Sequence, residues 1–327
     1  MSTELTDPFG RKVEYLRLSV TDRCDLRCFY CLPGDYRDFS EPDEWLSFAE
    51  IERIIGAFVA LGVRRVRVTG GEPLVRKNLP DLAGKLARIP GLLDLSLSTN
   101  AVGLSRYAGA LRSAGISRIN VSLDSLRADR FKQITKGNLD KVIAGLMAAR
   151  SCGFSPIKIN MVVMKGVNDD EIEDMVEFCI EHDFTLRLIE TMPMGDTGRS
   201  ATSYYVDLQQ VKQRLAARYE LIPGVMPGGG PARYVQVAGT GLRIGFITPI
   251  SQHFCETCNR VRLAVDGTLY LCLGQDHKFE FRPLLRAGIS DADLLDTVQH
   301  AITLKPERHE FRERPHQIVR FMSRTGG

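Results

Sequence analysis

Short runs of alternating apolar and polar residues recur along the first two thirds of the chain, separated by longer segments of helical period. The alternation predicts strands over residues 15–20, 65–69, 94–99, 117–123, 157–163 and 185–190. Helical periodicity predicts helices over 47–61, 79–87, 104–114, 139–152 and 169–182, the first opened by Ser47 with Glu50 three residues on, the spelling of a capping box. Strand followed by helix, repeated, implies parallel strands joined by right-handed crossovers. Six units are two short of a closed eight-stranded barrel. The expected class is therefore α/β, a partial (β/α)6 TIM-like barrel, with an open doubly wound sheet as the competing arrangement.

Either arrangement places chemistry beyond the carboxyl ends of the strands. The residues found there are 21–31 after the first strand, Gly70-Gly71-Glu72-Pro73 after the second, Thr99-Asn100 after the third, Asp124 after the fourth and 190–193 after the sixth. Near residue 200 the rhythm breaks. The stretch 224–231, with four glycines and two prolines, reads as a loop or linker, and one further helix is expected over 291–302. The expected division is a barrel domain over 1–200 and a smaller domain over 201–327.

Composition narrows the class. With 44% hydrophobic and 25% charged residues in 327, the chain is an ordinary globular one, and a net charge of +3 is too small to argue for nucleic acid. The first fifteen residues lack the apolar core of a secretory signal, and the longest nearly apolar run, 54–63, is about half of a membrane span. A soluble, cytoplasmic protein with no membrane contact is expected. Eight cysteines in that compartment point to metal or redox chemistry, and six of them form two triplets.

Cys24, Cys28 and Cys31 are spaced by four and then three residues, so one loop can hold an iron-sulfur cluster by three corners and leave one iron open. Structural zinc wants four closed ligands, and no fourth Cys or His lies near this loop. The second triplet is Cys255, Cys258 and Cys272, where zinc stays a full alternative because His253 or His277 could complete four ligands. Cys152 and Cys179 lie in helical patterns and read as buried small apolar residues; His182, His300, His309 and His316 read as surface or helix-end residues.

The Cys-x-x-x-Cys-x-x-Cys loop after the first strand, with Gly70-Gly71-Glu72-Pro73 after the second, resembles the radical S-adenosylmethionine (SAM) enzymes. Cys258-Asn259-Arg260-Val261-Arg262, Leu188 to Pro193 and the final Gly326-Gly327 further resemble the GTP 3′,8-cyclase family of molybdenum-cofactor biosynthesis, over about residues 8–327. That resemblance implies two [4Fe-4S] clusters, one on Cys24, Cys28 and Cys31 with SAM on its open iron, the other on Cys255, Cys258 and Cys272 facing guanine. It implies that a 5′-deoxyadenosyl radical takes the ribose C3′ hydrogen and that C3′ then closes on C8, giving 3′,8-cyclo-7,8-dihydroguanosine triphosphate. By matching position it assigns Tyr30, Gly71, Glu72, Ser122 and Met192 to SAM. It assigns Arg17, Arg67, Ser98, Lys158, Arg260, Val261 and Arg262 to GTP, with Arg187 as a further candidate, and the Gly326-Gly327 tail as an assistant inside the barrel. Arg65-Val66-Arg67 alone would read as the solvated face of a strand. The implied partners are an electron donor of flavodoxin type and the downstream cyclic pyranopterin monophosphate synthase that takes the product; a homodimer is a further expectation. The chain departs from the family at Ala101, commonly glycine, and at Ser98, commonly threonine. Two other classes stand beside this reading: a peptide-modifying radical SAM enzyme with an auxiliary cluster, and a zinc-stabilised nucleotide- or nucleic-acid-binding protein. Metal content separates the last, since two clusters require about eight irons per chain.

Overall fold

Six β-α units build the first two thirds of the molecule, and the computed structural model describes residues 4–35, 41–226 and 229–326. The strands are β1 (Tyr15–Ser19), β2 (Arg65–Thr69), β3 (Asp94–Thr99), β4 (Arg118–Ser122), β5 (Ile157–Val162) and β6 (Thr185–Ile189). The helices are α1 (Phe48–Ala60), α2 (Leu79–Ala87), α3 (Leu104–Ser113), α4 (Ala128–Thr135), α5 (Leu139–Ser151) and α6 (Ile172–His182). The six expected strands and five expected helices all form within a few residues of their predicted bounds. The capping box is real: Ser47 Oγ accepts from the Glu50 amide, and the Glu50 carboxylate accepts from the Ser47 amide. Such a cap is worth about 1 kcal/mol.

The final third does not form a sheet of its own. After α7 (Gly195–Ala201) and α8 (Leu208–Arg218) come β7 (Leu221–Gly224), β8 (Arg233–Val237), β9 (Arg243–Ile247), β10 (Arg260–Leu263), β11 (Thr268–Tyr270) and β12 (Lys278–Glu280). The helices α9 (Arg282–Arg286), α10 (Asp291–Thr303) and α11 (Met322–Thr325) follow. β9 joins β6 in parallel and β10 joins β1 in parallel, so the six-stranded core becomes eight adjacent parallel strands, with antiparallel β7-β8 and β11-β12 at the two ends.

Alternation on these strands separates two environments. Leu16, Leu18, Val66, Val68, Leu95, Leu97, Ile119, Val121, Ile159, Met161, Leu186 and Leu188 are buried in one continuous apolar core with helix residues such as Ile51, Phe58, Leu82 and Leu111. The opposite positions, Arg17, Arg67, Ser98, Lys158, Arg187, Arg260 and Arg262 among them, line a single cavity. Side chains from both ends of the parallel run share that cavity, so the sheet curves around it as an incomplete barrel. Among the described residues no helix is long and apolar enough to cross a membrane.

Candidate functional site

The loop between β1 and α1 is fixed by β2. The Gly71 amide donates to the Thr21 carbonyl (2.9 Å) and the Glu72 amide to the Arg23 carbonyl (2.7 Å). A Cβ on Gly71 would fall 2.2 Å from the Arg23 carbonyl oxygen, and one on Gly70, with φ near +152°, 2.4 Å from that of Thr21. Glycine is needed here because two backbones touch, a local reason that a ligand-based expectation for Gly71 does not contain. Cys24, Cys28 and Cys31 thereby line a cavity of about 170 Å³ together with Tyr30, Gly71, Ser122, Asp124 and Met192.

Glu72 is almost wholly buried and ties strand ends together, accepting from Leu74 N (3.0 Å), Thr99 Oγ1 (2.7 Å) and Asn100 N (2.6 Å). Burial, reinforced by the Asp25 charge, raises its carboxyl to about 8. Tyr30 donates its hydroxyl to Asp124 Oδ2 (2.6 Å), and burial lifts Asp124 to about 6. Burial also drives the thiols of Cys24 and Cys28 well up and Cys31 to about 12, with Glu72 acting on Cys24 and Asp124 on Cys28. Without metal these sulfurs hold their protons at neutral pH; metal loading must release them.

A second cavity, of about 530 Å³, adjoins the first through the shared lining residues Ser98, Asn160, Ile189, Met192 and Met322. Its size suits a small ligand. Eight cationic side chains line it: Arg17, Arg67, Arg118, Lys158, Arg187, Arg233, Arg260 and Arg262. Among the described residues no carboxylate lines it. Arg67 donates Nε to Ser96 Oγ (3.2 Å) over the Tyr15 ring, Lys158 lies over Tyr234, Arg187 donates Nη2 to Asn120 Oδ1 (2.5 Å), and among the described residues Arg118 alone of the eight forms an ion pair, with Asp94. Arg17 Nε and Nη2 and Arg187 Nε are buried without a hydrogen-bond partner. Burial and mutual repulsion lower Lys158 to about 7 and Arg187 and Arg262 to about 10. Unpaired buried cations at this density call for an anionic ligand.

The same cavity is lined by Cys255, Cys258 and Cys272. Burial raises Cys255 and Cys272. It opposes ionisation of Cys258 as well, but the Arg260 and Lys305 charges outweigh it and bring Cys258 down to about 7. Lys305 is buried with Nζ 3.7 Å from Cys258 Sγ. Among the described residues neither thiol triplet brings all three of its sulfurs within 4.8 Å of one another.

Most expected site residues line one of the two cavities. Val261 differs: it borders the larger one, but its side chain is buried in the apolar core between Arg260 and Arg262. Gly326 is buried with φ near +71°; a Cβ there would lie 2.2 Å from the Thr69 methyl, and its carbonyl accepts from Arg262 Nη1 (3.2 Å). Gly327 lies outside the described residues. Ala101 also takes a positive φ, near +62°, which explains why glycine suits this position. His309, expected at the surface, is instead buried, and burial beside His253 holds it down at about 4. His277 is exposed, as is His316; Cys179 is buried in the core and Cys152 half-buried against it. Arg118, Lys305 and Asp124's bond to Tyr30 went unread as site features. The alternating polar positions of β4, Arg118, Asn120 and Ser122, could have signalled Arg118; nothing local signals Lys305, which comes 33 residues after Cys272.

Comparisons with known proteins agree with this geometry. A family model of the radical SAM superfamily matches residues 18–179, and one described as Molybdenum Cofactor Synthesis C matches 184–311. The chain is 47% identical to a GTP 3′,8-cyclase of Ectopseudomonas mendocina, over 100% of this chain and 99% of that one. It is 48% identical to a GTP 3′,8-cyclase of Hydrogenovibrio crunogenus, over 99% of each. In fold it is similar to Streptococcus suis SuiB bound to S-adenosylmethionine, with TM-score 0.64 and 16% identity over 97% of this chain and 78% of that one.

Proposed function

The chain belongs to the GTP 3′,8-cyclase family within the radical SAM superfamily, and from that premise we propose how its two adjoining cavities divide the reaction. The enzyme converts GTP to 3′,8-cyclo-7,8-dihydroguanosine triphosphate, the first step of molybdenum-cofactor biosynthesis. The smaller cavity takes SAM beside a [4Fe-4S] cluster on Cys24, Cys28 and Cys31; the larger takes GTP beside a second cluster on Cys255, Cys258 and Cys272. In this division residues 1–200 generate the radical and 201–327 supply most of the second metal site. When bound, the first cluster and SAM together supply a 5′-deoxyadenosyl radical, which removes the C3′ hydrogen.

The chain's own residues bind, orient and shield. Tyr30, Gly71, Ser122 and Met192 line the cavity that takes SAM, whereas Glu72 lines neither cavity and acts from behind the glycine loop. Glu72, with its carboxyl near 8, also locks the ends of β2 and β3 so that the glycine loop cannot drift. Arg17, Arg67, Lys158, Arg187, Arg260 and Arg262 compensate the triphosphate, Ser98 lies where the cavities join, and Val261 contributes through its backbone alone. Met192 and Met322 sit at the same junction, apolar groups that exclude water from the radical's path. An external one-electron donor and a downstream synthase that consumes the cyclised product complete the scheme.

The observation that carries this reading is a cavity lined by eight cations and, among the described residues, by no carboxylate, which adjoins a thiol-lined one. The test is anaerobic incubation of the iron-loaded chain with GTP, SAM and a strong reductant. The expected products are 5′-deoxyadenosine and cyclised nucleotide in equal amounts; 5′-deoxyadenosine without cyclised nucleotide would overturn it.

A further inference from the structure

The thiol triplet is not the only donor set at the C-terminal end of the larger cavity. His253, Cys255 and His309 place one ligand atom each within 4.8 Å of one another, the single such group among the described residues. His253 immediately precedes the turn that carries Cys255, and His309 arrives from the segment after α10. One guanidinium holds both segments: Arg11 Nη1 donates to the Cys255 carbonyl (2.8 Å) and to that of Glu307, and Nη2 to Pro306 O (2.7 Å). Arg11 is itself anchored on Asp7 (2.6 Å). His309 is 4% exposed, its Nε2 and His253 Nδ1 are buried without a hydrogen-bond partner, and the two rings lie 5.0 Å apart. Phe254 and Phe311 flank His309, closing an apolar shell around it.

We propose that His253, Cys255 and His309 form a single-ion site for Zn²⁺ that competes with the iron-sulfur cluster for Cys255. Two imidazoles and one thiolate suit zinc, and a fourth position is left for water. Zinc-ligand bonds of about 2.0 to 2.3 Å require the three donors to close by only small side-chain movements. Binding through His309 Nε2 sends its ring proton to Nδ1, which gives up a long contact from the Phe311 amide (3.5 Å). The Cys255 thiol loses its proton to solvent. A chain loaded this way keeps Cys258 and Cys272 but lacks the third corner of the cluster, so zinc and cluster exclude each other. Only that exclusion rests on the cluster reading given under Proposed function; the zinc site itself does not.

The test uses the full chain with Cys24, Cys28 and Cys31 changed to serine, freed of metal anaerobically and titrated with Co²⁺ and then Zn²⁺. One Co²⁺ per chain is expected, with a thiolate-to-cobalt charge-transfer band and four-coordinate visible bands that Zn²⁺ abolishes. His253→Ala and His309→Ala should each weaken binding at least ten-fold, while Cys258→Ser with Cys272→Ser should change it less than three-fold. X-ray absorption of the zinc-loaded parent needs no second-site variant and should count one sulfur and three nitrogen or oxygen neighbours. Three sulfurs, no stoichiometric binding, or unchanged affinity in both histidine variants would overturn the site. Zinc-loaded chain should then take up about four fewer irons on reconstitution than metal-free chain. If metal-free chain takes up no iron at this triplet while zinc still binds, the cluster reading fails and the zinc site stands; if zinc-loaded chain gains a full cluster and keeps its zinc, the competition fails.

Discussion

Cys258 and Lys158 show how a buried charge takes its properties from its neighbours. Among the described residues buried Lys305 forms no ion pair with a carboxylate; its Nζ faces Cys258 Sγ, and the Pro306-Glu307 segment that follows it is pinned by Arg11. In the metal-free chain Cys258 should therefore be the reactive thiol of its triplet, alkylated half-maximally near pH 7, with Cys255 and Cys272 protected by their raised values. Lys305→Met removes a cation that favours the thiolate, so the midpoint should move up; peptide mapping after pH-stepped iodoacetamide labelling reads it, and an unmoved midpoint would assign the effect to Arg260 alone. Lys158 carries the opposite sign. Burial among Arg187, Arg118 and Arg67 holds it near 7, so at pH 8 it is mostly neutral in the empty cavity. A triphosphate beside it favours the charged form, and GTP binding at pH 8 should take up a proton, up to about one per site. Calorimetry in buffers of different ionisation enthalpy measures this, and Lys158→Met should abolish most of the uptake.

Elements were more legible than their assembly. Local periodicity predicted each strand of the six-unit core and every helix of it but α4, because each buries one face against the next, and burial writes itself as period two or period 3.6. It missed α4, α7 and α8, which are short or weakly apolar on their buried side: α8 buries only Leu208, Val211 and Leu215. It also missed that β9 and β10 extend the barrel at opposite edges, because pairing across more than 240 residues, as between Arg17 and Arg262, leaves no mark on spacing. Arg67 would have been misread by pattern alone, since an alternating cation on a curved sheet points inward as readily as into solvent. The tight α3-α5 pair gives an element-scale prediction. A Cβ on Gly145 of α5 would lie 2.2 Å from the Ala101 carbonyl oxygen and 3.2 Å from Leu104 Cβ. Gly145→Ala forces the helices apart, and the helix-propensity gain of about 1 kcal/mol is smaller than an overpacking cost of about 1–3 kcal/mol with backbone as the obstacle. The variant should unfold at lower denaturant concentration with an unchanged slope; equal or higher stability would mean that α3 and α5 separate easily.

Across the whole molecule, one segment near the C-terminus connects the two cysteine triplets. Arg320 donates to the carbonyls of Cys272 (3.1 Å), Leu273 (2.6 Å) and Gln275 (2.8 Å), fixing the start of the segment on the loop that carries the third thiol. Two residues later Met322 lines both cavities, and after α11 Gly326 packs on Thr69 at the end of β2, one residue before the glycine loop. Arg262, a cation of the larger cavity, donates to the Gly326 carbonyl. The segment therefore couples the second triplet, the cationic cavity and the Gly70-Gly71 loop without contributing a cysteine to either triplet. Removing Gly326 and Gly327 should leave iron content and thermal unfolding at parent values, because Arg320 and the apolar cluster of Met194, Phe311 and Ile318 remain. It should free Arg262 and lower cyclised product at least ten-fold, with 5′-deoxyadenosine formation reduced less. Gly326→Ala is the finer probe: it keeps the chain length but sets a methyl against Thr69 at a positive φ, so it should reproduce part of the loss. Full turnover by the truncated chain with both metal sites loaded would show that Arg262 does not depend on the tail for its orientation.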